Sequence, residues 1–314
     1  MQVLFLIIVL CQGVMGPASA FVASHSAFGI PSLENAVSRM KQGVRNFGSK
    51  LEAVSVEASM ISDIRAAIEA GPIPLAERKY LINGWRWHTL SVLRDLGRFR
   101  RVVGDARQLQ GEAQTAELRR ISSCQQFVCG FNWGALNKID QTIFFPWLED
   151  LLPAIARPLI LDIRHEHSKI EQLAQCMAQE SALLVGAVTG TGTGTGAGVV
   201  GTGVGAGLRR LEDLILQMTS CVQKIQEVQE TIFVPYVASY VTVKEQEKFN
   251  MKVIRKLGLI DSQVHLVSML DALRDLPEEL QAFQEQIPAV PRLLIPVWRN
   301  RLYAPRAGCL DIEH

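Results

Sequence analysis

The 314-residue sequence predicts an all-α protein, an up-down four-helix bundle with extra N- and C-terminal helices. Three observations carry that prediction. Apolar residues recur at three- and four-residue steps along four long segments, the period of an amphipathic helix. Outside one glycine tract, Val, Ile and Thr never alternate for long with polar residues, so strands leave no signal. Gly/Pro breakers separate the periodic segments. The chain carries 32 basic against 31 acidic residues and is 48% hydrophobic. That balance excludes a dedicated nucleic-acid binder, which needs a basic surface to neutralise phosphates, and it excludes a disordered chain.

Residues 1–20, MQVLFLIIVLCQGVMGPASA, lack charged side chains and hold an apolar run from Val3 to Cys11. The run is too short to span a bilayer, and Ala18-Ser19-Ala20 supplies small residues for cleavage, so the segment reads as a signal peptide. Residues 21–50 then carry Arg39, Lys41, Arg45 and Lys50 against Glu34 alone. An acid-poor, basic, serine-containing segment is typical of a transit peptide. Ala-Ser-Ala followed by Phe21 resembles the bipartite presequences of algae with secondary plastids, which implies import into a plastid. The alternative is a secreted protein with a basic arm. Without residues 1–50 the body has 28 basic and 30 acidic residues and no field to steer polyanions. The five cysteines beyond Cys11 show neither CxxC nor Cys/His zinc spacing. Cys124 and Cys129 read as core thiols, and Cys176 and Cys221 fall on core or near-core faces.

An N-terminal helix is expected within residues 51–74, at about 52–70, ended by Gly71-Pro72-Ile73-Pro74. The bundle occupies residues 75–257, with helices at about 75–110, 113–152 (kinked near Gly130–Gly134), 156–185 and 208–241. Residues 185–207 contain ten glycines and match neither GxxxxGK[ST] nor a Rossmann turn, so they read as a flexible linker. Their glycines also disfavour a membrane span, and no stable transmembrane segment is expected in the mature chain. Within 258–314 the pattern gives short helices near 262–275 and 277–286, after one at 243–257. A broken segment with Pro288, Pro291, Pro296 and Pro305 ends the chain.

One polar residue interrupts the apolar stripe of each bundle helix. His88 falls among Trp85, Val92 and Leu96, and Asp140 among Trp133, Leu136 and Ile143. His167 falls among Ile163, Ile170 and Met177, and Gln229 among Val222, Ile225 and Ile232. Burying a lone imidazole or carboxylate is costly, so these groups are expected to converge on one another or on an ion. His165 points away from His167 and reads as solvated, and His265 reads as the edge of a small helix. No Ser–His–Asp or Cys–His constellation is recognisable by spacing, so the reading leans away from an enzyme.

Ile143-Phe144-Phe145-Pro146-Trp147-Leu148 after a carboxylate, Glu166-His167, and Glu230-Thr231-Ile232-Phe233-Val234-Pro235 resemble helix signatures of hemerythrin-like (HHE cation-binding) domains. Trp87-His88 with Leu93-Arg94 is similar to that family's first helix. The resemblance covers roughly residues 75–257. It implies an up-down four-helix bundle and, in the family, a non-haem di-iron centre that engages oxygen. Carried over, the first- and third-helix histidines are His88 and His167. Leu136/Asp140 and Ile225/Gln229 stand at the two His–carboxylate pairs, and Glu171 is a further candidate ligand. Two irons would therefore be short of ligands and negative charge. A single Fe or Zn on His88, Asp140 and His167 is a known open coordination set. The alternative is a metal-free interaction or scaffold protein in which Asp140 and Gln229 hydrogen-bond the imidazoles, with Gln229 as core polar support.

A fluorescent protein fused behind residues 1–50 is expected to enter the plastid when expressed in a secondary-plastid alga. Export to the medium with Phe21 intact would refute the plastid assignment.

Overall fold

The computed structural model describes residues 50–152, 157–189 and 197–311. The signal peptide and nearly all of the basic segment expected at 1–50 lie outside them, as does the centre of the glycine tract. The described residues form nine helices and no strand. They are α1 (Lys50–Glu69), α2 (Asn83–Ala106), α3 (residues 111–151), α4 (Arg157–Thr189), α5 (residues 197–240), α6 (Val243–Leu257), α7 (Leu259–Ala272), α8 (Pro277–Gln286) and α9 (residues 289–307). Among the described residues, no helix is long and apolar enough to cross a membrane.

The four longest helices, α2 to α5, pack in a ring in which each touches its two sequence neighbours and α5 closes back onto α2. Cross-helix pairs give the directions. Arg164–Glu149 joins α4 to α3, while Gln125 of α3 reaches the carbonyl of Ala174 on α4. Lys224–Glu166 and Arg210–Glu180 join α5 to α4, and Arg86–Glu230 and Arg100–Glu212 join α2 to α5. In each pair of helices the higher number on one meets the lower number on the other, so neighbours are antiparallel. The apolar stripes read from the sequence face the centre: Val92, Leu96 and Phe99, Ile160 and Ile170, and Leu211, Ile215 and Met218 are all sealed from solvent. At about 25 cal/mol per Å2 of apolar surface removed from water, this interior is the main stabilising term.

Two expectations are corrected. The described part of the glycine tract is helical: α4 continues to Thr189 and α5 already begins at Ala197, leaving 190–196 outside the described residues. Helix pairing supplies the reason that propensity alone misses. At Gly207 a side chain would come within 2.8 Å of Leu184 and Glu180, so the missing Cβ lets α5 approach α4 closely. The proline-rich end is also helical. Pro288 caps α9 and Pro291 lies in its first turn, where a backbone N–H has no intrahelical partner, leaving Pro296 and Pro305 inside, the latter just after a π turn.

Three helices contain π-helical turns, at Gln126–Trp133 and Asp140–Phe144 in α3, Gln229–Phe233 in α5 and Arg299–Tyr303 in α9. The second, third and fourth each end two residues before a proline: Pro146, Pro235 and Pro305. Proline offers no N–H to the carbonyl four residues back and crowds it, and a widened turn relieves both effects. The two turns in the ring share a sequence, Thr-Ile-Phe-x-Pro-aromatic, at residues 142–147 and 231–236. In both, the threonine hydroxyl donates to the carbonyl four residues earlier, Thr142 to Lys138 at 2.6 Å and Thr231 to Glu227 at 2.7 Å.

The remaining helices brace the ring. Tyr240 donates to the Ala67 carbonyl and holds α1 on the end of α5. Thr242 and Glu245 form a capping box that starts α6, and Gly258, at φ +81°, turns the chain into α7, which lies along α2. Trp87 donates to Glu279 at 2.9 Å and Arg86 pairs with the same side chain, fixing α8 to α2. Gly71, the breaker after α1, sits against the backbone of α5: a Cβ there would lie 2.6 Å from Ser239 Cβ and 2.9 Å from its carbonyl oxygen. Gly71→Ala is therefore expected to destabilise the fold by about 1–3 kcal/mol, read as a lower urea midpoint with unchanged slope.

Candidate polar site in the ring

His88, Asp140, His167 and Gln229 are all buried, the aspartate and His167 completely. They fall into two layers. His88 lies in the upper one. Its Nε2 donates to Asn132, at 2.8 Å to the side-chain oxygen and 3.0 Å to the carbonyl. The Asn132 amide donates onward to Ser91 and to Asp95 at 2.9 Å. Asp95 pairs with Arg94, which also reaches the Ser268 carbonyl and the Tyr303 hydroxyl. This network joins α2, α3, α7 and α9. His265 belongs here too and is buried rather than at a helix edge, stacked on Phe131 with ring centroids 4.5 Å apart and equally close to His88.

The lower layer is about 12 Å further along α3, eight residues at 1.5 Å each. There His167 Nε2 lies 3.4 Å from an Asp140 oxygen. The other ring nitrogen settles the tautomer. His167 Nδ1 contacts the Asn137 side-chain oxygen at 2.8 Å, and the Asn137 amide donates to Glu171. An amide oxygen only accepts, so Nδ1 carries the proton and Nε2 is left as a bare lone pair facing Asp140. Trp133 and Phe145 wall the imidazole at 4.9 and 5.1 Å. Glu171, exposed on α4, thus reaches His167 through Asn137. His165 is exposed, as its spacing predicts.

Several buried atoms in this layer have no hydrogen-bond partner: both Asp140 oxygens, His167 Nε2, both Gln229 amide atoms, Tyr80 Oη, and the indole nitrogens of Trp85 and Trp133. Gln229 is at the level of Trp85, because Glu230 beside it pairs with Arg86 and Trp85 stacks near Phe233. Asp140 and Gln229 each begin a π turn, which sets the direction of both side chains. Buried polar groups are nearly always satisfied, so such a concentration sets this layer apart from an ordinary core. Among the described residues, no group of three or more His, Cys, Asp or Glu side chains converges as a metal site. The lower layer supplies two such groups and one neutral amide. Asn132, Asn137, Tyr80 and Trp85 were not singled out from the sequence. The asparagines had a usable signal, since Asn132 and Asn137 are polar interruptions near the stripe of α3.

Burial controls the charge of both layers. It pushes the Asp140 carboxyl well above the usual carboxylate range, opposed by the nearby Trp85 indole. It lowers His167 to about 3 and His88 to about 4, in the latter against the Asn132 hydrogen bonds. Asp140 also helps hold the Tyr80 phenol neutral, after burial. Comparison with known proteins returns no matching family model, no matching curated protein and no matching solved structure.

The signs of these shifts oppose one another. The unfolded chain protonates its histidines near pH 6.5 while the folded chain resists, so stability from His88 and His167 is present at pH 7 and is lost as pH falls through 6.5 towards 3–4. The folded Asp140 keeps a proton that the unfolded chain releases above 3.8, so its contribution is complete below that pH and is lost as pH rises. In chelator-treated protein, Asp140→Asn is expected to raise stability at pH 7, because it removes a carboxyl whose ionisation burial opposes. The gain should disappear near pH 4 in urea unfolding followed across that range.

Proposed function

We propose that the chain is a hemerythrin-like up-down four-helix bundle whose lower polar layer binds a single cation. The observation that supports it best is the orientation of His167. The Asn137 side-chain oxygen accepts a hydrogen bond from Nδ1–H, with Glu171 behind it, and leaves Nε2 unprotonated beside the Asp140 carboxyl. Metal-ligating histidines are commonly oriented in this way by a carbonyl or carboxylate on the far nitrogen. The antiparallel ring and the twofold Thr-Ile-Phe-x-Pro-aromatic turns support the family reading.

A di-iron centre does not fit this chain. Leu136 and Ile225 place hydrocarbon where the family has imidazoles, Gln229 replaces a carboxylate, and His88 is engaged with Asn132 in the other layer. A single ion fits the unpartnered atoms: His167 Nε2, the Asp140 carboxylate and Gln229 Oε1 would hold it. One imidazole and two oxygens suit zinc or ferrous iron. When bound, such an ion supplies an electrophilic centre, and iron supplies a one-electron couple. The protein's own part is to keep His167 in the ligating tautomer, to exclude bulk water with Trp85, Trp133, Phe144 and Phe145, and to exchange the Asp140 proton for the ion. Binding therefore competes with protonation and weakens as pH falls.

A second reading rests on Asp140. Because burial favours its protonated form, the carboxyl can donate to His167 Nε2, and the layer then needs no metal. The bundle would act as an interaction scaffold whose polar layer fixes helix register.

Titrating chelator-treated full chain at pH 7.5 with cobalt(II), a spectroscopic substitute for zinc and iron, separates the two. The cation reading expects about one equivalent bound and a visible ligand-field band. Asp140→Asn and His167→Gln should each remove both, while His88→Gln retains them. Substoichiometric uptake with no change in melting temperature supports the scaffold.

A further inference from the structure

Cys124 and Cys309 stand 185 positions apart in the sequence and meet in space. Cys124 is fully buried on α3, and its thiol lies 3.0 Å from the Cys309 carbonyl oxygen, within hydrogen-bonding reach of the Cys309 thiol as well. Cys309 belongs to a short 3-10 turn, Gly308–Leu310, that follows α9 and packs on α3 and α2. Ala307 and Leu310 on either side of it are buried and anchor the turn, while Cys309 itself remains partly open to solvent. Arg120 clamps the same turn, donating from Nε to the Cys309 carbonyl at 2.6 Å and from its terminal nitrogen to the Asp311 carbonyl. Both cysteines are free thiols. The remaining described cysteines differ. Cys129 is buried and Cys221 is half-buried against the core, as their spacing suggested, while Cys176 is exposed.

From this juxtaposition we infer that Cys309 and Cys124 form a peroxide-responsive dithiol, with Cys309 as the attacking and Cys124 as the resolving sulfur. The Cys124 thiol and the Arg120 guanidinium lie beside the Cys309 sulfur and favour its thiolate despite partial burial, against a long contact of 3.7 Å in which the Cys309 thiol donates to the Arg306 carbonyl. The contact with Cys309 and burial hold Cys124 in the thiol form. The chemistry balances in two steps. The Cys309 thiolate attacks one oxygen of a hydroperoxide. The O–O bond breaks, sulfur is oxidised by two electrons to the sulfenic acid, and the departing hydroxide or alkoxide takes up a proton. The Cys124 sulfur then attacks the sulfenic sulfur, the S–O bond breaks, and water leaves with the Cys124 proton. The product disulfide ties the end of the chain covalently to α3, without requiring the turn to move far. Tyr303, just upstream, accepts from Arg94 of the upper network, so the bridge also fixes α9 over that layer.

Treating the reduced full chain with one to two equivalents of hydrogen peroxide, alkylating, and mapping peptides without reduction tests the inference. The expected result is the loss of two thiols and 2 Da, a Cys124–Cys309 crosslinked peptide, and reversal by dithiothreitol. The melting temperature should rise by about 5–10 °C, since a bridge closing so long a loop restricts the unfolded chain strongly. Cys124→Ser should leave a dimedone-reactive sulfenic acid at Cys309, and Cys309→Ser, at a partly exposed site that the fold tolerates, should leave Cys124 unoxidised. Retention of both thiols, or oxidation of wild-type Cys309 to the sulfinic acid with no crosslink, overturns the inference. So does a peroxide-induced Cys124 adduct in Cys309→Ser.

Discussion

Water does not reach the Asp140 carboxyl or the His167 imidazole, so each must find its compensation inside the protein. Ionising both without a guest would place two charged groups 3.4 Å apart in an aromatic pocket with only Asn137 and the Trp85 indole to support them. Burial instead drives both towards neutrality, and the Asn137 contact then decides which imidazole nitrogen keeps its hydrogen. The outcome is a lone pair facing a carboxyl, the arrangement on which the proposed cation site rests. The helices around them serve that condition. Trp133 and Phe145 exclude solvent, the α4–α5 ion pairs hold the ring closed, and Arg86 fixes the height of Gln229 through its neighbour.

The chain places Asp140 and Gln229 by a backbone device. Each residue opens a π turn, and each turn is explained by a proline six residues later that cannot continue the ordinary ladder. The extra residue in such a turn rotates everything before it relative to everything after it. Thr142 and Thr231 return their hydroxyls to the helix four residues back and leave no stray donor in the widened region.

Much of this architecture was legible from the sequence because helices in water must hide one face. The stripes through Val92, Ile170 and Ile215 gave the four segments, and Gly71-Pro72 and Pro277 gave boundaries close to those observed. The inward direction of His167 and Asp140 followed from the same period. Less visible was anything decided by a partner. Glycine in 197–207 lowers helix propensity, but the close approach of Gly207 to α4 outweighs it, and periodicity carries no information about that neighbour. His88 shares the stripe of α2 with the other candidates, yet its height along the ring depends on where α2 starts relative to α3. That start is set by Gln246 of α6, which accepts the Leu81 N–H and donates to the Lys79 carbonyl. A one-turn difference in height was enough to commit it to Asn132.

The contrast between the two polar layers bears on which of them is a site. In the upper layer Arg94 neutralises Asp95, and Asn132 uses its oxygen and its amide, while His265 alone leaves both ring nitrogens unpartnered. Breaking such a network would expose an uncompensated buried charge, which is why its value lies in holding α7 and α9 in register with α2 and α3. The lower layer has the same burial and the same one-residue-per-helix origin but leaves its acceptors open. A sequence under pressure only to pack would have filled Asp140 and Gln229 with hydrocarbon, as it has Leu136 and Ile225 on the same faces. The unpartnered atoms of Asp140, His167 and Gln229 come from three helices, whereas those of the upper layer belong to His265 alone, and that is the strongest physical reason to look for a guest below rather than at the more conspicuous tilted pair of histidines above.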